Sequence, residues 1–282
     1  MIGRRAITGL TLLCALAFLA VPAQSALALK GTTVATCKFN SGKGEFEEAH
    51  CSKEKVGGGG DYEAPEVTEN AETFFEGSNS STKAGTIGAV PAVLTATVEG
   101  VATEVECSTS ASTGAFKNKK SGSEQMFAES QAPIKLTTIT YTGCVVNKPK
   151  AGGEECTVNS PGKAAGTIVT NQLAGISAVE KVGAAEEMYL LVFGSGGVIA
   201  ELVFTAVAGK TCPAALTKKA LQVTGEAKLE ASGATLVSPH PKIASTLKLG
   251  GFAASLTSSE TMRMDREGGL TQNPLFLKTT TT

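Results

Sequence analysis

Tryptophan is missing from this chain, histidine occurs only at His50 and His240, and aspartate only at Asp61 and Asp265. These shortages remove most of the chemistry that a sequence can announce. A Ser-His-Asp triad would have to be assembled from those few residues. His50, however, sits in a charged N-terminal segment, and His240 lies between Pro239 and Pro241, where a surface turn is expected. No Gly-x-Ser-x-Gly elbow is present. Zinc sites usually use closely spaced ligand pairs such as Cys-x-x-Cys or His-x-x-x-His, and neither occurs, so His50 beside Cys51 and near Cys37 reads as a solvated histidine next to a disulfide. Scarce aspartate also removes the usual calcium loop. No metal ligand, cofactor-binding residue or catalytic residue is assigned. With three tyrosines and no tryptophan, the aromatic platforms of a sugar-binding surface are lacking as well.

Long apolar runs are equally scarce. The longest, from Leu10 to Val21, follows Arg4 and Arg5 and leads to Ala26-Leu27-Ala28, which fits a signal peptidase site. About a dozen apolar residues fall short of the roughly 20 that span a bilayer. Residues 1–28 are therefore expected to be a cleavable signal peptide cut after Ala28, of an alanine-rich, compact kind with a bacterial look, and Cys14 is expected to leave with it. The expected address is extracytoplasmic, secreted or associated with the cell envelope, with no membrane span after cleavage. The mature chain would carry 23 basic against 26 acidic residues, which argues against a nucleic-acid partner.

Cysteine usage agrees with that address. Six cysteines follow the signal, Cys37, Cys51, Cys107, Cys144, Cys156 and Cys212, an even set for an oxidising compartment. Sequence alone does not choose among their connectivities. The expected set pairs Cys37 with Cys51, Cys144 with Cys156, and Cys107 with Cys212, the first two closing short loops. An even, oxidised set leaves no cysteine nucleophile.

Composition divides the rest. A small N-terminal segment, 29–56, is bracketed by Cys37 and Cys51 and holds a possible short helix over Glu45 to Lys55. Gly57 to Gly60 opens a glycine-rich, acidic linker expected to run loosely ordered to residue 90. Residues 91–266 read as short β-branched strands punctuated by glycine. Ala92 to Glu99 and Val101 to Cys107 form a hairpin around Gly100. Leu221 to Leu229 alternates apolar and polar residues, one face for a core and one for water. Phe193-Gly194-Ser195-Gly196-Gly197-Val198 joins two apolar strands and opens a strand rather than a helix, so it reads as a hairpin turn and not as a phosphate loop. Residues 267–282 form an extended or frayed tail. Asn79-Ser80-Ser81 matches a glycosylation sequon.

Val105-Glu106-Cys107-Ser108-Thr109-Ser110, Leu136 to Cys144, Glu155-Cys156, Gly166 to Gly175 and Val223-Thr224-Gly225 resemble a group of uncharacterised exported β-rich proteins of actinobacterial type, over roughly residues 90–266. The resemblance implies paired cysteines and a domain boundary near residue 90. It brings no activity and no functional residue.

The expected fold is mainly β, an antiparallel sandwich or barrel clipped by disulfides, with a small Cys-bracketed N-terminal segment. The expected function is a non-catalytic structural or binding role, with wall polymer or other surface proteins as conceivable partners. Two alternatives stand beside it. One is a barrel that binds a small ligand, which needs an apolar cavity. The other is a glycoside hydrolase built on two of the glutamates Glu104, Glu106, Glu129, Glu154, Glu155, Glu180, Glu186, Glu187, Glu201 and Glu226, whose carboxyls would share one cleft about 5 to 10 Å apart.

Overall fold

The computed structural model describes residues 32–48, 51, 53–65, 72–80, 90–117, 135–150, 152–232, 235–266 and 269–279. The expected signal peptide with its cleavage after Ala28 lies outside the described residues, as do His50 and Glu129. Among the described residues no helix is long and apolar enough to cross a membrane.

The chain is mainly β. In order the strands are β1 (Thr32–Thr36), β2 (Lys38–Gly44), β3 (Gly60–Glu63), β4 (Glu72–Ser80), β5 (Ala92–Val98), β6 (Val101–Lys117), β7 (Lys135–Lys148), β8 (Cys156–Asn159), β9 (Ile168–Val169), β10 (Leu173–Val182), β11 (Ala185–Ala206), β12 (Leu221–Ser232), β13 (Thr235–Ser238), β14 (Lys248–Leu249), β15 (Phe252–Arg266) and β16 (Gly269–Thr279), with one helical turn, α1 (Ala214–Thr217), before β12. β2 and β3 form a separate two-stranded sheet, and the other strands form one sheet of 14.

That large sheet closes on itself. β15 is hydrogen-bonded on one side to β13 and β14, and on the other to β4 and β5, which both pair with β6. Around the ring run β6, β7, the position shared by β10 with β8 and β9, β11, β12, the position shared by β13 and β14, β15, and the position shared by β4 and β5. Between the sandwich and the barrel left open by the sequence, the structure is a barrel. A ring of eight positions encloses a space that side chains nearly fill or that holds one small ligand.

Long strands explain how few residues build so wide a wall. β11 is continuous across Gly194 to Gly197: Phe193 pairs with Glu226 and Val198 with Thr224 of the same neighbour, β12. The glycine-rich run is thus a bulge inside one strand, not the expected hairpin turn, because both halves keep the same partner and direction. The hairpin around Gly100 is present, with Val98 opposite Val101. Between β13 and β14 an irregular strap takes the place of a strand beside β12. His240 N–H donates to Lys228 O at 3.0 Å and Thr246 N–H to Glu226 O at 2.9 Å, while Ser245 Oγ accepts from Lys228 N–H.

The inward residues alternate along each strand. Leu190, Leu202, Leu249, Val158 and Val105 are almost completely buried, and each such side chain contributes roughly 1.5–3 kcal/mol of burial. A smaller cluster of Cys37, Phe46, Cys51 and Ala64, with Tyr62 against it, belongs to the β2–β3 sheet.

Several expectations are corrected. The stretch 57–90 is not simply a linker. Gly60–Glu63 is β3, paired with β2, and Glu72–Ser80 is β4, part of the barrel wall between β6 and β15; residues 66–71 and 81–89 lie outside the described residues. The described residues between Glu45 and Lys55 form no helix, and their backbone bonds run across a loop, from Glu47 N–H to Lys53 O and from Lys55 N–H to Glu45 O. The expected tail carries β16, which pairs with β15 and, further on, with β1.

The disulfides are Cys37–Cys51, Cys107–Cys144 and Cys156–Cys212. The first is as expected. Cys144–Cys156 and Cys107–Cys212 are corrected, for a reason of register: Cys107 and Cys144 are direct Cα partners on β6 and β7. Cys156 and Cys212 are brought together at the end of β11, where Glu154 bridges Thr211. Three disulfides fit an oxidising compartment.

Candidate functional site in the barrel interior

The inward side chains leave a cavity of about 110 Å³. Its wall is almost entirely apolar, with Leu94 from β5, Ile139 from β7, Leu190 and Ile199 from β11, Leu229 from β12 and Leu256 from β15 among the contributors. Several of these are only partly buried although they pack against the core, because the surface they keep faces the cavity. The polar groups on the wall are few: Ser112, Tyr141, Thr170, Ser258 and Glu260.

Glu260 is the only charged residue among the described lining residues. Ser112 Oγ donates to its Oε1 at 2.7 Å. Three wall positions converge to make this contact, since Ser112 lies on β6, Glu260 on β15, and Gly77 on β4 between them. Gly77 is the Cα partner of Ser112 and of Met262. A Cβ on Gly77 would run into Ser112 Oγ and the Glu260 carboxyl, so the absence of a side chain there makes room for the pair. Burial pushes the Glu260 carboxyl above the usual glutamate range, and the hydrogen bond from Ser112 pulls it part of the way back. The Tyr141 hydroxyl is pushed up as well, first by burial and then by the negative charge of Glu260. A carboxyl in so apolar a setting favours its neutral form unless a cation joins it.

The residues singled out from the sequence lie elsewhere. His240 is buried, not in a surface turn: the strap folds it against Tyr189, ring to ring at 6.4 Å, its Nδ1 accepts from Lys242 N–H at 3.2 Å, and its Nε2 has no hydrogen-bond partner among the described residues. Asp61 accepts a hydrogen bond from Gly42 N–H at 3.0 Å in the separate β2–β3 sheet, whereas His240 is on the strap beside β12. Asp265 lies on β15 opposite Leu270.

Among the described lining residues of the barrel interior there is none of the candidate glutamates. Glu104 is bonded to Lys148 at 2.8 Å, which holds its carboxyl below the usual range. Glu106 accepts from Asn147 at 2.7 Å, Glu201 from Gln222 at 3.0 Å, and Glu187 pairs with Lys242. Glu104, Glu106, Glu201 and Glu226 alternate with the inward Val105, Ala200, Leu202 and Ala227, so they occupy the outer face. Glu154 and Glu155 flank the start of β8, where Glu155 N–H donates to Thr211 O at 2.8 Å, and Glu180 and Glu186 lie on the β10–β11 hairpin. Among the described residues no group of three or more His, Cys, Asp or Glu side chains is placed to hold a metal ion.

Glu260 was the carboxylate that sequence reasoning passed over. The signal was faint: Ala254, Leu256, Ser258 and Glu260 share one face of β15 by their period of two, and the apolar members of that face point inward.

Comparison with family models, with curated proteins and with solved structures yields no match.

Proposed function

We propose that this protein is an exported, non-catalytic β-barrel that binds one small, mostly apolar molecule in its interior. The observation that carries this reading is the closed wall around a cavity of about 110 Å³ lined by leucine, isoleucine, valine and alanine. An engineered cavity of about 150 Å³ with a comparable lining binds benzene or xenon, so the ligand is of that order of size rather than drug-sized. The single carboxyl at the wall supports binding over glycoside hydrolysis, which needs two carboxylates at a set separation. Export after Ala28 is the companion reading, supported by three disulfides and by the apolar N-terminal run.

The test is a titration of the mature protein with 2-methylbutane, followed by the methyl resonances of the leucines. Shifts confined to the lining leucines, among them Leu94, Leu190, Leu202, Leu229 and Leu256, and abolished in a folded Ala227→Leu variant that fills the cavity, are the expected result. Unchanged lining resonances at saturating hydrocarbon overturn the reading.

A further inference from the structure

We infer that the molecule held in the barrel is a small apolar amine, and that Glu260 receives its ammonium group. The inference rests on the interior-binding reading and gives that site its ligand class.

The wall offers very unequal partners. Leu190, Leu202 and Val105 can take only apolar atoms, and a sugar or other polyol would leave several hydroxyls without partners against them. An anionic head group would be buried with no Lys, Arg or His among the described lining residues to offset the loss of its hydration. A cation meets the reverse situation. The Glu260 carboxylate has room for about four hydrogen bonds, and Ser112 is its donor among the described residues. A protonated amine supplies further donors and the missing counter-charge together, and charge-assisted bonds of this kind are the strong ones.

Tyr141 strengthens the case from a neighbouring strand. It lines the same cavity, close enough to Glu260 to feel its charge, and an ammonium over a tyrosine ring gains further attraction. Gly77 and Ser112 fix the carboxyl in place before any ligand arrives, which lowers the ordering cost of binding. The volume admits a body of about five or six non-hydrogen atoms.

The experiment compares isobutylamine hydrochloride with two neutral probes of the same shape, isobutanol and 2-methylbutane, by titration of the mature wild-type protein and of Glu260→Gln at pH 7.5. Isobutylamine is expected to bind the wild type at least about tenfold more tightly than isobutanol, and Glu260→Gln is expected to erase that preference. Equal affinity for amine and alcohol in the wild type overturns the amine assignment but leaves interior binding standing, as does an amine preference that survives Glu260→Gln. If none of the three probes moves the lining resonances, the interior-binding reading itself falls. The wild-type comparison decides by itself if Glu260→Gln does not fold.

Discussion

Ser112 and Glu260 are 148 positions apart in sequence and joined by a hydrogen bond of 2.7 Å across a mostly apolar stretch of wall. The burial of Glu260 makes the stability of the barrel depend on pH in a direction opposite to that of a carboxylate held low by an ion pair, such as Glu104. Burial raises the Glu260 carboxyl above its unfolded value, so the unfolded chain gives up this proton first. Between the usual glutamate pKa and the raised one the folded state holds more protons, and stability falls as pH rises through that window. Glu260→Gln removes the dependence. Urea unfolding at pH 4 and pH 8 should find the variant more stable than wild type at the higher pH, on the order of 1 kcal/mol, with the advantage fading at the lower. A difference that does not change with pH would mean that Glu260 titrates like an exposed glutamate.

The two barrel disulfides act on loops of different length. Cys107–Cys144 closes 37 residues and Cys156–Cys212 closes 56, against 14 for Cys37–Cys51. Loop-closure entropy then puts the loss on removal at about 4 kcal/mol for either barrel bridge and about 3 kcal/mol for the N-terminal one. Denaturant titration of Cys156→Ser/Cys212→Ser and of Cys37→Ser/Cys51→Ser should give losses in that order. A digest of the unreduced protein should yield these three linked peptides and no free thiol, and the proposed export predicts a chain beginning at Leu29. A Cys144–Cys156 peptide would contradict the register of β6 and β7.

What the sequence made legible was the wall in pieces. Alternation in Leu221 to Leu229 put Leu221, Val223, Ala227 and Leu229 on one face, the core face, from which Val223, Ala227 and Leu229 line the cavity, and Glu99-Gly100 marked the hairpin between β5 and β6. Closure was not legible, because it depends on β15 pairing with β4 and β5 from the far end of the chain, and a strand's period says nothing about its neighbour. β4 itself was hidden by its acidic surroundings, and β11 was split in two by a glycine run that proved to be a bulge. Glu260 was missed for a related reason. Its face of β15 reads Ala254, Leu256, Ser258 and Glu260, with Leu256 the one large apolar residue, too weak an alternation to mark an inward face.

Gly225 marks where the strap crosses β12. Its φ is +92°, a backbone conformation that side chains rarely adopt, and an added Cβ would meet Thr246 O and the Leu247 backbone. Gly251 has nearly the same φ, +93°, but open space around it. Gly225→Ala should therefore cost about 2–4 kcal/mol and Gly251→Ala about 1–2 kcal/mol, read as the difference between their thermal or urea unfolding curves. Equal losses would show that the close approach of the strap adds nothing to the strain of the backbone.

Leu190 offers a change in which stability and binding should move in opposite directions. It is fully buried on β11 and forms part of the cavity wall. The space that Leu190→Ala opens therefore joins a void already present instead of being refilled by neighbouring atoms. Losses for leucine truncation range from about 2 to 5 kcal/mol and grow with the cavity that remains, which places this one in the upper half of that range. The enlarged cavity passes from about 110 Å³ towards the roughly 150 Å³ that accommodates benzene. Benzene should then raise the melting temperature of Leu190→Ala more than that of the wild type, since a ligand that binds only the folded state stabilises it by mass action. A variant that is destabilised but gains nothing from benzene would mean that the barrel has collapsed around the missing side chain, and that the wall is less rigid than the ring of paired strands implies.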